Sequence, residues 1–276
     1  MSIAQITLTV EESKKLIAMA VGVHPKVKET IEQGSILFKG GSTVSLVSKV
    51  ITGNYLRLCG ITTERGTVVN MGTETSSPHV ALYKKGEFIN IDETFLEDVL
   101  KIGEKDLIIC GANAIDCYGN AAMMMGSLGG GDTPYAFSTW YGEGVPVIIP
   151  VGLEKLIPTN INKIIKMTGR RKKEYSMGMS VGLMPVIGDI ITEVEAINLL
   201  TGLEAVPIAA GGLGGGKGSI TLDVKGEKTE LYDLMELILK IKDQESYENE
   251  NYVECKPKFI HCKEHLGCIY KRIIRG

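Results

Sequence analysis

The stretch SILFKGGSTVSLVSKVI, Ser35 to Ile51, sets the class of the fold. Ser35 to Lys39 is an apolar run of strand length, Gly40-Gly-Ser-Thr43 is a turn, and Val44 to Ile51 places apolar residues at helical spacing. Strand, Gly-rich turn and helix in that order begin a parallel α/β layer. Downstream, Asp106 to Cys110 (DLIIC) and Val145 to Pro150 (VPVIIP) read as further buried strands. Tyr55 to Cys59, Thr67 to Met71, Val80 to Tyr83 and Glu87 to Ile91 add shorter strand-like pieces. Helices are expected after the capping-box spacing Thr9-Val-Glu-Glu12, over Val27 to Gln33 and over Thr94 to Leu100. Another is expected to begin at Ala121 to Met125, to break at Gly129 to Gly131, and to resume over Pro134 to Gly142. The pattern predicts an open, mostly parallel sheet with helices on both faces over residues 1–178.

The text changes after the basic run Arg170-Arg-Lys-Lys173. Val181 to Ile187, Ala205 to Ala210, Ser219 to Val224 and Tyr252 to Ile260 read as strands, and Ile190 to Leu200 and Thr229 to Lys242 as amphipathic helices. That order, βαββαβ, predicts a ferredoxin-like α+β domain over residues 179–276. Glu245 to Glu254 reads as a charged, exposed stretch.

Composition narrows the function. Glycine supplies 33 of 276 residues, well above the ~7% usual in proteins. The glycines fall in clusters beside apolar runs, where tight turns or close backbone approach are needed. Aromatic residues make up 6% of the chain, with one tryptophan, which argues against a stacking platform for single-stranded nucleic acid. A net charge of -3 and a pI of about 5.9 offer no attraction for phosphate backbones. No apolar run reaches the roughly 18 residues of a membrane span, and no secretory leader is visible. A cytoplasmic protein without nucleic-acid or membrane partners is expected.

Four segments put small and hydroxyl residues after a predicted strand: Gly40-Gly-Ser-Thr43, Gly60-Ile-Thr-Thr63, Gly111-Ala-Asn-Ala114 and Gly126-Ser-Leu-Gly-Gly-Gly-Asp132. In open α/β sheets the ligand crevice lies outside the strand ends. Backbone N–H groups at a helix start hold anions there. The candidate binding residues are Gly40, Gly41, Ser42, Thr43, Thr62, Thr63, Arg65, Gly111, Asn113, Asn120, Gly130 and Asp132. Their chemistry favours a phosphorylated or carboxylated small molecule; tight βα turns are the alternative. Asp116 is the candidate proton-transfer group, with an Asx-type turn as its alternative. Gly212 to Lys217 (GLGGGK) joins two strands, so it reads as a hairpin loop or lid with Lys217 as its one candidate contact. His79, in MGTETSSPH, is a weaker catalytic candidate, and Arg170 and Arg171 are either a solvated face or a clamp on an anion.

The segment DLIICGANAIDCYGNAAMMMGS, together with the upstream ILFKGGSTVSLVSKVI, resembles the NagB/RpiA/CoA-transferase-like superfamily over roughly residues 25–155. The resemblance implies a ligand crevice for a sugar phosphate, nucleotide or acyl-CoA, and isomerase or transferase chemistry. The departures are specific. Asn113 and Ala114 stand where the sugar-phosphate isomerase branch carries acids, which leaves Asp116 as the only acid near the motif. A metabolite-sensing or scaffolding module that kept the pocket and lost the acids is therefore the second reading. The resemblance also makes a homo-oligomer, most simply a homodimer, the expected assembly.

Six cysteines in a chain of this length do not suggest a disulfide framework. Cys59, Cys110 and Cys117 sit in or beside apolar text. Cys255, His261, Cys262, His265 and Cys268 lie close together, and those residue types are zinc ligands. If zinc is held there, Cys255, Cys262, Cys268 and one of His261 or His265 would ligate it; a reduced, packed tail is the alternative.

Overall fold

The computed structural model describes residues 1–70 and 77–243. The first part of the chain forms β1 (Ser2–Leu8), α1 (Val10–Val23), α2 (Pro25–Gln33), β2 (Ser35–Lys39) and α3 (Ser42–Thr52). Next come β3 (Gly60–Thr63), β4 (Gly66–Val69), β5 (Val80–Lys84), β6 (Glu87–Asn90), α4 (Phe95–Val99) and β7 (Leu107–Cys110). β8 (Ala114–Ile115), β9 (Ala121–Met125), α5 (Thr133–Gly142), β10 (Val147–Pro150) and α6 (Ile161–Met167) follow. The remainder is β11 (Gly182–Val186), β12 (Asp189–Ile191), α7 (Glu193–Thr201), β13 (Glu204–Gly211), β14 (Ser219–Gly226) and α8 (Lys228–Lys242).

The centre is a six-stranded mixed sheet in the order β12-β10-β7-β2-β5-β6. β12, β10, β7 and β2 are parallel, while β5 and β6 extend the sheet as an antiparallel hairpin. Alternation along the strands sends side chains to opposite faces. Ile36, Phe38, Leu107, Ile109 and Ile148 pack on one face with Leu16 and Ile17 of α1, Val44 and Val47 of α3, and Ile197 of α7. Leu37, Ile108, Cys110, Val147 and Ile149 pack on the other with Phe95 of α4 and Phe137 and Trp140 of α5. Trp140 is fully buried and tilts against Phe137 at 4.7 Å between ring centroids.

A second sheet, β1-β14-β13, is antiparallel throughout. It joins the first core cluster through Ile6, Leu8, Leu222 and Val224, with Leu234 and Ile238 of α8 on the same side. The chain is thus mixed α/β. Thr9 caps α1 with the full capping box, as its spacing predicts.

Several expectations meet a different arrangement. Strand β1 carries no expectation in the reading of the sequence, yet it supplies the third strand beside β14. Of the βαββαβ set, β11 pairs with β9, and the start of the expected Ile190 to Leu200 helix is instead the strand β12, which pairs with β10, so both pair with strands that precede residue 178. Of the remaining described strands, β14 pairs with β13 on one side and with β1 on the other. Residues 252–260, the expected last strand, lie outside the described residues. Ala121 to Met125 is a strand and not the start of a helix, because antiparallel pairing with Gly182–Val186 and Ala114–Ile115 overrides the helix propensity of Ala and Met. Tyr55 to Cys59 forms no ladder; it is held by single bonds such as Arg57 N–H to the Pro78 carbonyl at 2.8 Å.

Candidate functional site

At the carboxyl ends of β2 and β7 lies a crevice of about 690 Å³. Its floor comes from the strand ends. One wall is the turn into α3, another the β3–β4 hairpin, and a third the loop that follows β9. The hairpin is pinned against residues 177–179 by Thr67 N–H to the Met177 carbonyl and Met179 N–H to the Thr67 carbonyl. Gly66 makes this approach possible: its φ is +103°, and a Cβ there would stand 2.2 Å from the Met177 carbonyl oxygen.

The sequence candidates divide. Gly40, Gly41, Ser42 and Thr43 line the α3 wall, Gly111 and Asn113 the end of β7, Thr62 the hairpin, and Gly130 and Asp132 the loop before α5. Thr63, Arg65, Asn120, Lys217 and Asp116 are not in the lining. Gly60 to Thr63 is not a strand-end loop. It is the first arm of a hairpin, because the β-branched Ile61, Thr62 and Thr63 pair with Gly66 to Val68, and this carries Thr63 and Arg65 away from the crevice. Lys217 is exposed in the β13–β14 connection, which is a hairpin loop as expected.

Asp116 has a structural task. Its Oδ1 accepts from Tyr118 N–H (2.9 Å), Asn120 N–H (3.0 Å) and Asn120 Nδ2 (3.1 Å). Its Oδ2 accepts from Ile161 N–H at 2.8 Å and Asn120 Nδ2 at 2.9 Å. This is the Asx-type turn, extended to cover the first N–H of α6. Burial alone would raise the Asp116 pKa, but the bonds from Ile161, Asn120 and Tyr118 outweigh it and hold the carboxyl below its ordinary value. A carboxylate so fully engaged is a poor base.

His79, a weaker candidate from the sequence, stands beside Lys39 together with Arg57 and Asp92, which the motifs did not assign. Lys39 ends β2 and is 9% exposed. Its Nζ lies 2.6 Å from His79 Nε2. His79 Nδ1 is 3.0 Å from the Arg57 carbonyl oxygen. A carbonyl only accepts, so Nδ1 carries the hydrogen, and Nε2 is the acceptor for Lys39. Asp92 fixes the other side: it accepts from His79 N–H and Val80 N–H, and pairs with Arg57 at 3.2 Å. Burial, then the neighbouring Lys39 charge, pushes His79 down to about 3. Burial also lowers Lys39. The thiols nearby stay protonated, since burial raises Cys59 and pushes Cys110 up to about 12. Lys155 adds a second cation to the lining; its pKa is lowered by burial, and Glu154 lies 3.9 Å away.

The α3 wall presents the first backbone N–H groups of the helix, which have no partner within it. Its N-cap is Gly41, which has no side chain to cap the helix, and the first turn holds no acidic residue. Thr43 is 2% exposed, and its Oγ1 has no partner among the described residues. The helix N-terminus therefore offers N–H groups and positive dipole to the crevice. Asn113 Oδ1 accepts from Met124 N–H at 2.9 Å.

A shallower hollow of about 520 Å³ lies between Ser127–Gly130 and Gly169–Lys172. Arg170 Nε donates to the Gly126 carbonyl there at 2.6 Å, so this side chain braces the loop that borders the crevice. Among the described residues, no group of three or more His, Cys, Asp or Glu side chains could hold a metal, and no helix is long and apolar enough to cross a membrane. Cys255, His261, Cys262, His265 and Cys268, the zinc candidates, lie outside the described residues. No family model, curated protein or solved structure matches the chain.

Proposed function

We propose that this chain binds a small anionic metabolite, a sugar phosphate, nucleotide or acyl-CoA, in the crevice at the ends of β2 and β7. The observation that carries the reading is the uncapped N-terminus of α3. There Gly41, Ser42 and the unpartnered Thr43 face the same space as Lys39 and Lys155. Backbone amides supply shape and the lysines supply charge, a combination suited to a phosphate group. Membership of the NagB/RpiA/CoA-transferase-like superfamily, a cytoplasmic location and a homo-oligomeric state belong to the same proposal. Among the described residues β13 is an edge strand, with Val206 and Ile208 exposed, which favours assembly.

The first version of the proposal is an enzyme of isomerase or transferase type. The second is a sensing or scaffolding module, favoured by Asn113, Ala114 and the fully bonded Asp116. A thermal-shift screen with inorganic phosphate, sugar phosphates, nucleotides and CoA esters tests both. Bound ligand raises the melting temperature in proportion to the logarithm of its concentration over Kd. A stabilising ligand that is turned over supports the enzyme, and one that is not supports the sensor. No stabilisation by any anion ends both.

A further inference from the structure

We infer that Lys39 forms an imine with the carbonyl carbon of a phosphorylated aldehyde or ketone bound in this crevice. The inference rests on the anion-binding reading and adds the class of ligand and the atom that reacts.

The geometry is that of an amine prepared for attack. Lys39 lines the crevice at a strand end beside Gly40 and Gly41. Among the described residues no carboxylate forms an ion pair with it; its Nζ contacts the imidazole of His79 at 2.6 Å. A lysine kept for charge alone is better served by a carboxylate partner, whereas a neutral imidazole acceptor leaves the ammonium free to lose its proton. His79 is held for that acceptor role by its Nδ1–H bond to the Arg57 carbonyl and by its backbone N–H on Asp92. Burial of Lys39 favours its neutral form, in agreement with the geometry. Cys59 remains a protonated thiol, Asp116 is outside the lining, and Lys155, the other lysine of the lining, lies 3.9 Å from the Glu154 carboxylate, so Lys39 is the lining amine that no carboxylate pairs among the described residues.

The step balances without a co-reactant. The Lys39 ammonium, whose proton loss burial favours, releases one proton to solvent, and His79 Nε2 stays the neutral acceptor that orients the amine. The amine lone pair attacks the carbonyl carbon, a C–N bond forms, and the C=O π pair moves to oxygen. A proton moves from nitrogen to that oxygen, giving the carbinolamine. Solvent returns one proton to the hydroxyl, which leaves as water while the nitrogen lone pair closes the C=N bond. The product is the protonated imine, and no net proton is gained or lost. The phosphate on α3 places the carbonyl near Nζ, and the imine draws electrons from the adjacent carbon.

The experiment is borohydride trapping with glyceraldehyde 3-phosphate on the full chain, read by peptide mass spectrometry, with unphosphorylated glyceraldehyde as the control. The inference predicts one stable adduct, carried by Lys39, at least tenfold more abundant with the phosphorylated aldehyde and suppressed by inorganic phosphate. His79→Gln should slow trapping and alter its pH profile while phosphate binding persists. Adduct on Lys155 or scattered over surface lysines overturns the inference. Stabilisation by phosphate with no adduct on Lys39 overturns the imine and leaves the anion reading standing. Neither stabilisation nor adduct overturns both.

Discussion

Replacing Asp116 by asparagine separates a structural carboxylate from a catalytic one. In the native chain five donor contacts converge on its two oxygens, from Tyr118 N, Asn120 N, Asn120 Nδ2 (to both oxygens) and Ile161 N. An amide keeps one oxygen and sets a donor against donors on the other side. The least costly orientation retains the three contacts at Oδ1 and gives up the two at Oδ2, from Asn120 Nδ2, which keeps its contact with Oδ1, and from Ile161 N–H, which starts α6 and is buried. An unsatisfied buried donor costs about 1–3 kcal/mol, and the retained bonds lose their charge assistance. The sum is a loss of roughly 2–4 kcal/mol. For a chain of this size that lowers the melting temperature by roughly 5–10 °C. Urea unfolding followed by the fluorescence of Trp140, the single tryptophan and fully buried, reads the effect directly. The carboxyl also has a lowered pKa, so its contribution is present above its unfolded value of about 3.9 and is lost as pH falls through the lower folded value. The stability gap between native chain and Asp116→Asn should therefore narrow in acid. Anion binding should survive. An unchanged unfolding midpoint combined with lost binding or turnover would refute the structural assignment.

Gly40→Ala should cost about 2–5 kcal/mol in urea unfolding, from overpacking and a strained buried bond. Its Cβ would stand 2.5 Å from His79 Nδ1 and 2.8 Å from the Arg57 carbonyl oxygen, and Gly40 N–H already bonds the His79 carbonyl; a midpoint within experimental error of native would contradict this. Gly41→Ser should behave in the opposite way. Gly41 has an extended φ of -173° and a Cβ there meets only Val44 at 3.9 Å, so serine caps α3 and adds a few tenths of a kcal/mol while competing for the amides. Calorimetric titration with phosphate should then show weaker binding in a protein at least as stable, and equal affinity would count against the α3 site. His79 is held neutral, with a folded pKa of about 3 against 6.5 unfolded, so it destabilises the fold increasingly as pH falls from about 6.5 toward 3. His79→Gln should flatten that part of the stability profile, and an unchanged slope would show that His79 does not titrate as its surroundings require.

Much of the parallel layer was legible because its strands are short apolar runs followed by glycine. Ser35–Lys39, Leu107–Cys110 and Val147–Pro150 lie where the sequence places them, and so does the uncapped turn into α3. Pairing partners were not legible. Met123 and Met124 carry nothing that specifies a strand until Leu183 and Met184 lie beside them, and β1 acquires its role only when β14 arrives from more than 200 residues away. The same limit explains the site. Gly41, Thr43 and Gly111 belong to local turns and were found from local text. Lys39 looked like the polar end of an apolar strand, and His79 stood alone in a polar stretch. Only the antiparallel pairing of β2 with β5, which sets Lys39 against Val80, makes them neighbours. Asp116 stayed open between two roles because a strand-end acid serves a turn or a substrate with the same sequence, and the bond that favours the turn comes from Ile161, 45 residues away.

The central claim is that an anion rests on the N-terminus of α3 beside Lys39. Anomalous diffraction from crystals soaked in selenate, a phosphate-like tetrahedral anion, tests it most directly. The account predicts a peak within hydrogen-bonding distance of the amides of Ser42 and Thr43 that disappears in Gly41→Ser. A peak confined to Arg170–Lys172 or to Lys217, or none in the crevice, would contradict it.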